Sequence, residues 1–164
     1  MLTDTNEPIL AIDPGPKQSG WVIYDGVDAL DCGIDQNENL RRRIYDDVWF
    51  VDLSSPVHLA IERVMPYRGK ARIELIETAV WVGRFGQEFG WDDVSLIARP
   101  VVCEHLCGHQ AAKKPKVRKA IINRYGGTRQ AAIGLKQHPG PLYGITDHIW
   151  DALAVAITYW ETRA

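Results

Sequence analysis

The chain has 164 residues, 46% hydrophobic and 24% charged, an ordinary globular mixture long enough for one domain with its own core. No apolar run reaches the roughly eighteen residues of a membrane-spanning helix, and the opening MLTDTNEP is too polar and acidic for a secretory signal. Three cysteines, an odd number, argue against a disulfide framework and point to a reducing, cytoplasmic setting. The net charge of −2 hides an asymmetry. Met1 to Glu104 carries 10 basic and 18 acidic residues, whereas His105 to Thr146 contains no Asp or Glu. That second stretch holds Lys113, Lys114, Lys116, Arg118, Lys119, Arg124, Arg129 and Lys136. A block of one sign reads as a polyanion-binding surface rather than a merely solvated face.

ILAID, Ile9–Asp13, is a short apolar run ending in an acid, followed by the turn-rich PGPKQSG. WVIYDG and ALDCGI complete a predicted meander of three strands. Asn37–Leu53 is predicted as a helix with Leu40, Ile44, Val48 and Val51 on its inner face. VHLAIE, Val57–Glu62, is a fourth strand, again ending in an acid. Ala71–Phe89 reads as a long helix presenting Leu75, Ile76, Ala79, Val82 and Phe85. VSLIARP is a fifth strand, and Pro115–Tyr125 a basic helix with Val117, Ile121 and Ile122 inward. Gly126–Gly144 reads as a long loop, and Thr146 as the N-cap of a last helix ending near Thr162. A meander followed by βα units predicts an α/β fold, a five-stranded mixed sheet with helices on both faces. No linker or repeat divides residues 1–164, so one domain is expected.

Ile9–Asp13 and Val57–Glu62 are almost wholly apolar, as central strands covered on both faces are. If they are neighbours, Asp13 and Glu62 lie side by side at one sheet end. On the last helix, spacings of four and three place Asp147 and His148 on a shared face with Asp151. Asp151 sits in the apolar run HIWDALAVA, so it needs a partner. Several carboxylates at one place repel one another, and a hard divalent cation is the usual compensation. Two such ions about 3.5–4 Å apart activate water and stabilise a leaving oxygen in phosphodiester hydrolysis. The expected partner of Asp151 is therefore a magnesium or manganese ion shared with Asp13 and Glu62.

AIDPGPKQSGWVIYD, LAIE and HIWDALAVA, in this order, resemble the RuvC Holliday-junction resolvases of the RNase H-like superfamily. The middle, HLCGHQAAKKPKVRKAII, resembles the phage-encoded branch. The resemblance runs from about Ile9 to Thr158. It implies an RNase H-like fold, a homodimer, and magnesium-dependent paired nicking of four-way DNA junctions, with two ions per active site. It places the family's acidic residues at Asp13, Glu62 and Asp151. The family has an acid or histidine three residues before that last aspartate, which is His148 here, with Asp147 one position off the pattern. The lysine before the basic helix matches Lys114, which would neutralise charge at the scissile phosphate. The loop after Glu62 would probe the junction with Arg63, Met65, Tyr67, Arg68, Lys70 and Arg72. The long helix, with its WVGRFG, would make the dimer contact through exposed aromatics and glycines. The setting implied is the cytoplasm of a bacterial cell or phage-infected host, with no membrane and no small-molecule cofactor.

Cys103, His105, Cys107 and His109 alternate in CEHLCGH, but four ligands in seven residues rarely close a tetrahedron, so a loop or strand edge is expected there instead of zinc. Three other functions compete with the resolvase. An RNase H-type or RuvX-like nuclease would use the same fold on RNA or RNA–DNA hybrid. A non-catalytic branched-DNA binder would not require Asp13, Glu62 and Asp151 together. An actin-like ATPase would need a second domain and a second phosphate motif, for which 164 residues are too few.

Overall fold

A computed structural model describes residues 7–49, 55–66 and 72–163. The strands β1 (Ile9–Asp13), β2 (Gln18–Tyr24) and β3 (Ala29–Gln36) form the expected antiparallel meander. Two more strands, β4 (Leu59–Arg63) and β5 (Val94–Ala98), add in parallel, giving the order β3-β2-β1-β4-β5. The two carboxylate-ended strands are therefore central neighbours.

Strand periodicity then decides which way the carboxylates point. Ile9 and Ala11 of β1, with Ala60 of β4, belong to a core cluster shared with the last helix, α6 (Asp147–Thr162). Leu10, Ile12, Leu59 and Ile61 belong to the opposite cluster, under α1 (Asn37–Asp46) and α2 (Ile73–Phe89). Side chains alternate along a strand, so Asp13 follows Ile9 and Ala11, and Glu62 follows Ala60. Both acids emerge on the α6 side, one residue beyond the paired Ile12 and Ile61. That face is also covered by α3 (Arg99–Cys107) and α4 (Lys114–Arg124), so α6 is buried from Ile149 to Thr158. A helix enclosed in this way is apolar on nearly every side, as ALAVAI is.

Gly20 positions the first turn of α6. It pairs with Asp13 in the sheet, and a Cβ built there would lie 2.6 Å from the backbone carbonyl of His148. The sheet and the helix backbone touch because no side chain intervenes. Gly20→Ala is expected to push the start of α6 off β2, costing about 2 kcal/mol and several degrees of Tm, and to weaken any ligand held between Asp13 and His148. An unchanged Tm by calorimetry would contradict this contact. The loop after Asp13 is tied down separately. Ser19 Oγ donates to Asn37 Oδ1 at 2.7 Å, the Gly15 N–H donates to Ser19 Oγ, and Asn37 Nδ2 donates to the Gly15 carbonyl at 2.8 Å.

Four elements differ from the sequence expectation. Helix α1 stops at Asp46, because Asp47 adopts a left-handed φ of 51° and its N–H closes on Arg43 and Ile44. Val48 is consequently exposed instead of inward, and Val51 lies outside the described residues. In α2 the buried positions are Thr78, Val82, Phe85 and Gly86, with Ile76 and Ala79 turned outward. The aromatics of WVGRFG are correspondingly not exposed: Phe85 is fully buried and Trp81 partly so. CEHLCGH is neither loop nor strand edge but mostly helix α3, with Cys103 buried. The stretch after Gly126 contains a helical turn, α5 (Arg129–Ala132), and a small hairpin of β6 (Gly134–Leu135) and β7 (His138–Pro139). No helix among the described residues is long and apolar enough to cross a membrane.

Candidate active site

The sheet end where β1 and β4 stop meets the first turn of α6 and the starts of α3 and α4. Asp13 Oδ2 lies 2.7 Å from His148 Nδ1. An ionised carboxylate only accepts, so Nδ1 carries the hydrogen of this bond and a neutral ring keeps a lone pair on Nε2. One turn along α6, Asp151 is only 3% exposed. Arg99 donates to its Oδ1 at 2.7 Å and Lys114 to its Oδ2 at 2.6 Å. Arg99 also stands 3.8 Å from Glu62 Oε2, beyond hydrogen-bond reach, and that buried oxygen has no hydrogen-bond partner.

The partners of Asp151 are therefore two cations of the chain itself. The sequence expectation had a shared metal ion in that role and assigned Lys114 to the scissile phosphate; Arg99 was not among the candidates. It is the residue immediately after β5, at the first position of α3, and only its place at the same sheet end as Glu62 brings it in.

Burial and mutual repulsion set the protonation of the cluster. Loss of solvent, and next the charge of Asp13, push Glu62 up to about 7. Asp13 is also raised, by burial first and Asp151 second, against the hydrogen bond from His148. For Asp151 burial acts upward too, but the hydrogen bonds from Lys114 and Arg99 outweigh it and hold the carboxyl below the usual range. One carboxyl, paired with two cations, thus sits beside two whose charged forms burial disfavours.

That cluster suits a cation. Ligand atoms of Asp13, His148 and Asp151 lie within 4.8 Å of one another, and among the described residues this is the His, Cys, Asp and Glu group so arranged. The orphaned Glu62 oxygen adjoins it, and a set of carboxylate oxygens with one imidazole nitrogen suits hard divalent ions such as magnesium or manganese. Asp147 is exposed, has a φ of 37°, and is outside the group. The Cys103, His105, Cys107 and His109 series forms no such group.

Two clefts open on the carboxylates. One, of about 850 Å³, runs from Asp13 and Glu62 past Arg99 to Arg63, Met65 and Arg72. The other, of about 570 Å³, joins the same acids to Lys113 and Lys114. Lys116 and Lys119 are exposed on α4, and Arg118 sits over the ring of Trp150, 6.0 Å from its centre. Tyr67, Arg68 and Lys70 lie outside the described residues.

No protein-family model and no curated protein matches the chain in sequence. Its fold does match solved structures. RuvC of Thermus thermophilus superposes with a TM-score of 0.64 over 95% of each chain at 20% identity. T. thermophilus RuvC in complex with a Holliday junction substrate gives 0.65 over 93% of this chain and 92% of that one, again at 20% identity. The fold is thus RNase H-like, with the five-stranded mixed sheet and flanking helices described above.

Proposed function

We propose that the chain is a divalent-metal-dependent endonuclease that resolves four-way junctions or other branched DNA by paired nicks. The observation carrying this reading is the convergence of Asp13, Glu62, His148 and Asp151 at one sheet end, between clefts lined by arginines and lysines. The fold likeness to a RuvC bound to a Holliday junction supports DNA over RNA as substrate.

Asp13, Glu62 and Asp151, with His148, would hold the metal, and two magnesium or manganese ions fit the number of carboxylates. When bound, the ions supply activation of water and neutralisation of charge at phosphorus. The chain's own residues do the rest. Asp13 orients the imidazole, so the single lone pair on Nε2 of His148 would serve either as a metal ligand or to position the attacking water. Water adds to phosphorus and one ester P–O bond breaks, leaving a phosphate monoester on one end and a hydroxyl on the other. Lys114, whose side chain is 58% exposed, reaches from Asp151 toward the strand. Arg63, Met65 and Arg72 would receive DNA on one side of the acids, and Lys113, Lys116, Arg118 and Lys119 on the other.

Paired cuts need two active sites, and α2 supports a homodimer. Its outer side exposes Ile73 (64%), Ile76 (53%) and Val80 (51%), with open space beside Gly83. Ile76→Asp is expected to halve the mass seen by analytical ultracentrifugation while leaving the monomer folded; an unchanged mass would place the dimer contact elsewhere. The phage-type branch and the host cytoplasm rest on the motif resemblance.

Substrate class is tested by competition. Labelled junction is offered with excess linear duplex, RNA–DNA hybrid or unlabelled junction. Branched-DNA specificity predicts that only the last displaces it efficiently. Preferential displacement and cutting of the hybrid would replace this reading with an RNase H-type one. Binding without any cut would identify a branched-DNA binder.

A further inference from the structure

We infer that Arg99 is an internal counter-cation that closes the carboxylate cluster until DNA draws it away, so that divalent metal loads with substrate. This rests on the metal-site reading above and adds a residue and a control step to it.

The geometry is specific to Arg99. Its side chain is three-quarters buried, donates to Asp151 Oδ1 at 2.7 Å, and stands 3.8 Å from Glu62 Oε2. Lys114 takes the other Asp151 oxygen. Both oxygens of Asp151 are thus engaged by cations, and a metal ion approaching either one meets a positive charge already in contact with it. Three carboxylates face two fixed positive charges, so an entering ion also meets a site already largely neutralised. Arg99 forms part of the wall of both clefts, one of which Arg63 and Arg72 also line and the other Lys113. A guanidinium pairs with phosphate oxygens through two parallel bonds, better than with the single Asp151 oxygen it contacts here. A DNA phosphate entering either cleft therefore competes for Arg99, and its departure frees Asp151 Oδ1 and removes a positive charge beside the Glu62 oxygen. Metal and DNA binding become mutually reinforcing, as linkage requires, and the chain stays metal-poor away from its substrate.

The test is manganese binding by electron paramagnetic resonance, for wild type, Arg99→Met, Arg99→Lys and Asp13→Asn, with and without four-way junction and with a DNA-alone blank. Without DNA, Arg99→Met is expected to bind manganese about tenfold more tightly than wild type. Arg99→Lys, which keeps the charge, stays near wild type. Junction raises wild-type affinity and leaves that of Arg99→Met nearly unchanged. If Arg99→Met binds no more tightly than wild type while Asp13→Asn still abolishes binding, the metal site stands and the gate is wrong. If no variant shows Asp13-dependent binding with or without junction, the metal site fails and the gate with it.

Discussion

Asp13→Asn is expected to lower junction nicking by on the order of a thousandfold, while junction binding and the metal-free Tm hold or rise slightly. The direction follows from the environment of the carboxylate. Asp13 is pushed above its ordinary range by burial and by Asp151, so its charge destabilises the metal-free fold. Asparagine keeps the shape and an acceptor oxygen but removes the charge that would hold a cation. A purely structural aspartate would behave differently, losing Tm together with activity. Single-turnover nicking and a thermal scan in EDTA, read side by side, separate the two. Retained nicking in Asp13→Asn would remove this residue from the chemistry.

Glu62→Gln is expected to raise the Tm of the metal-free protein at pH 8 by roughly 5–10 °C and to leave it unchanged near pH 4. Glu62 rises from 4.5 to about 7 on folding, chiefly through burial. A raised carboxyl keeps its proton in the folded chain after the unfolded chain has lost it. Its contribution is therefore fully present below 4.5 and is lost as pH climbs to about 7, an amount of about 3 kcal/mol. Glutamine does not titrate and escapes that loss. Magnesium should reverse the order: at pH 8 it stabilises wild type and stabilises Glu62→Gln far less. A variant that melts lower than wild type at pH 8 in EDTA would contradict the burial of an unsatisfied charge at this position.

Much of this site was legible in the chain because two physical signals coincide there. ILAID and LAIE are apolar on both faces, which only central strands require, so their terminal acids had to meet if the strands paired. Asp151 stands inside a run that must be buried, and so demanded a partner. That the chain's own Arg99 would be among its partners was not legible. Arg99 lies at a strand-to-helix joint with no periodicity of its own, and its approach to Asp151 spans 52 residues. The choice between Asp147 and His148 was equally closed to spacing, because neighbours on a helix point about 100° apart and both fall near the face of Asp151. The overrun of α1 has a local cause. Val48 and Val51 continue the helical period past Asp47, and only the left-handed backbone there ends it. Helix α2 misled because apolar residues line two of its sides, one for the core and one for the surface. The two-residue strands β6 and β7 are too short to leave a period at all.

The most direct measurement is nicking of an end-labelled four-way junction in magnesium and in EDTA, with products mapped on each strand. A carboxylate-held divalent site in a paired nuclease predicts nicks in two opposed strands, complete dependence on magnesium, and none in the presence of EDTA. Cutting that persists in EDTA, or a junction that stays intact in magnesium while the protein is bound to it, would contradict the assignment of Asp13, Glu62, His148 and Asp151 as a metal-dependent nuclease site.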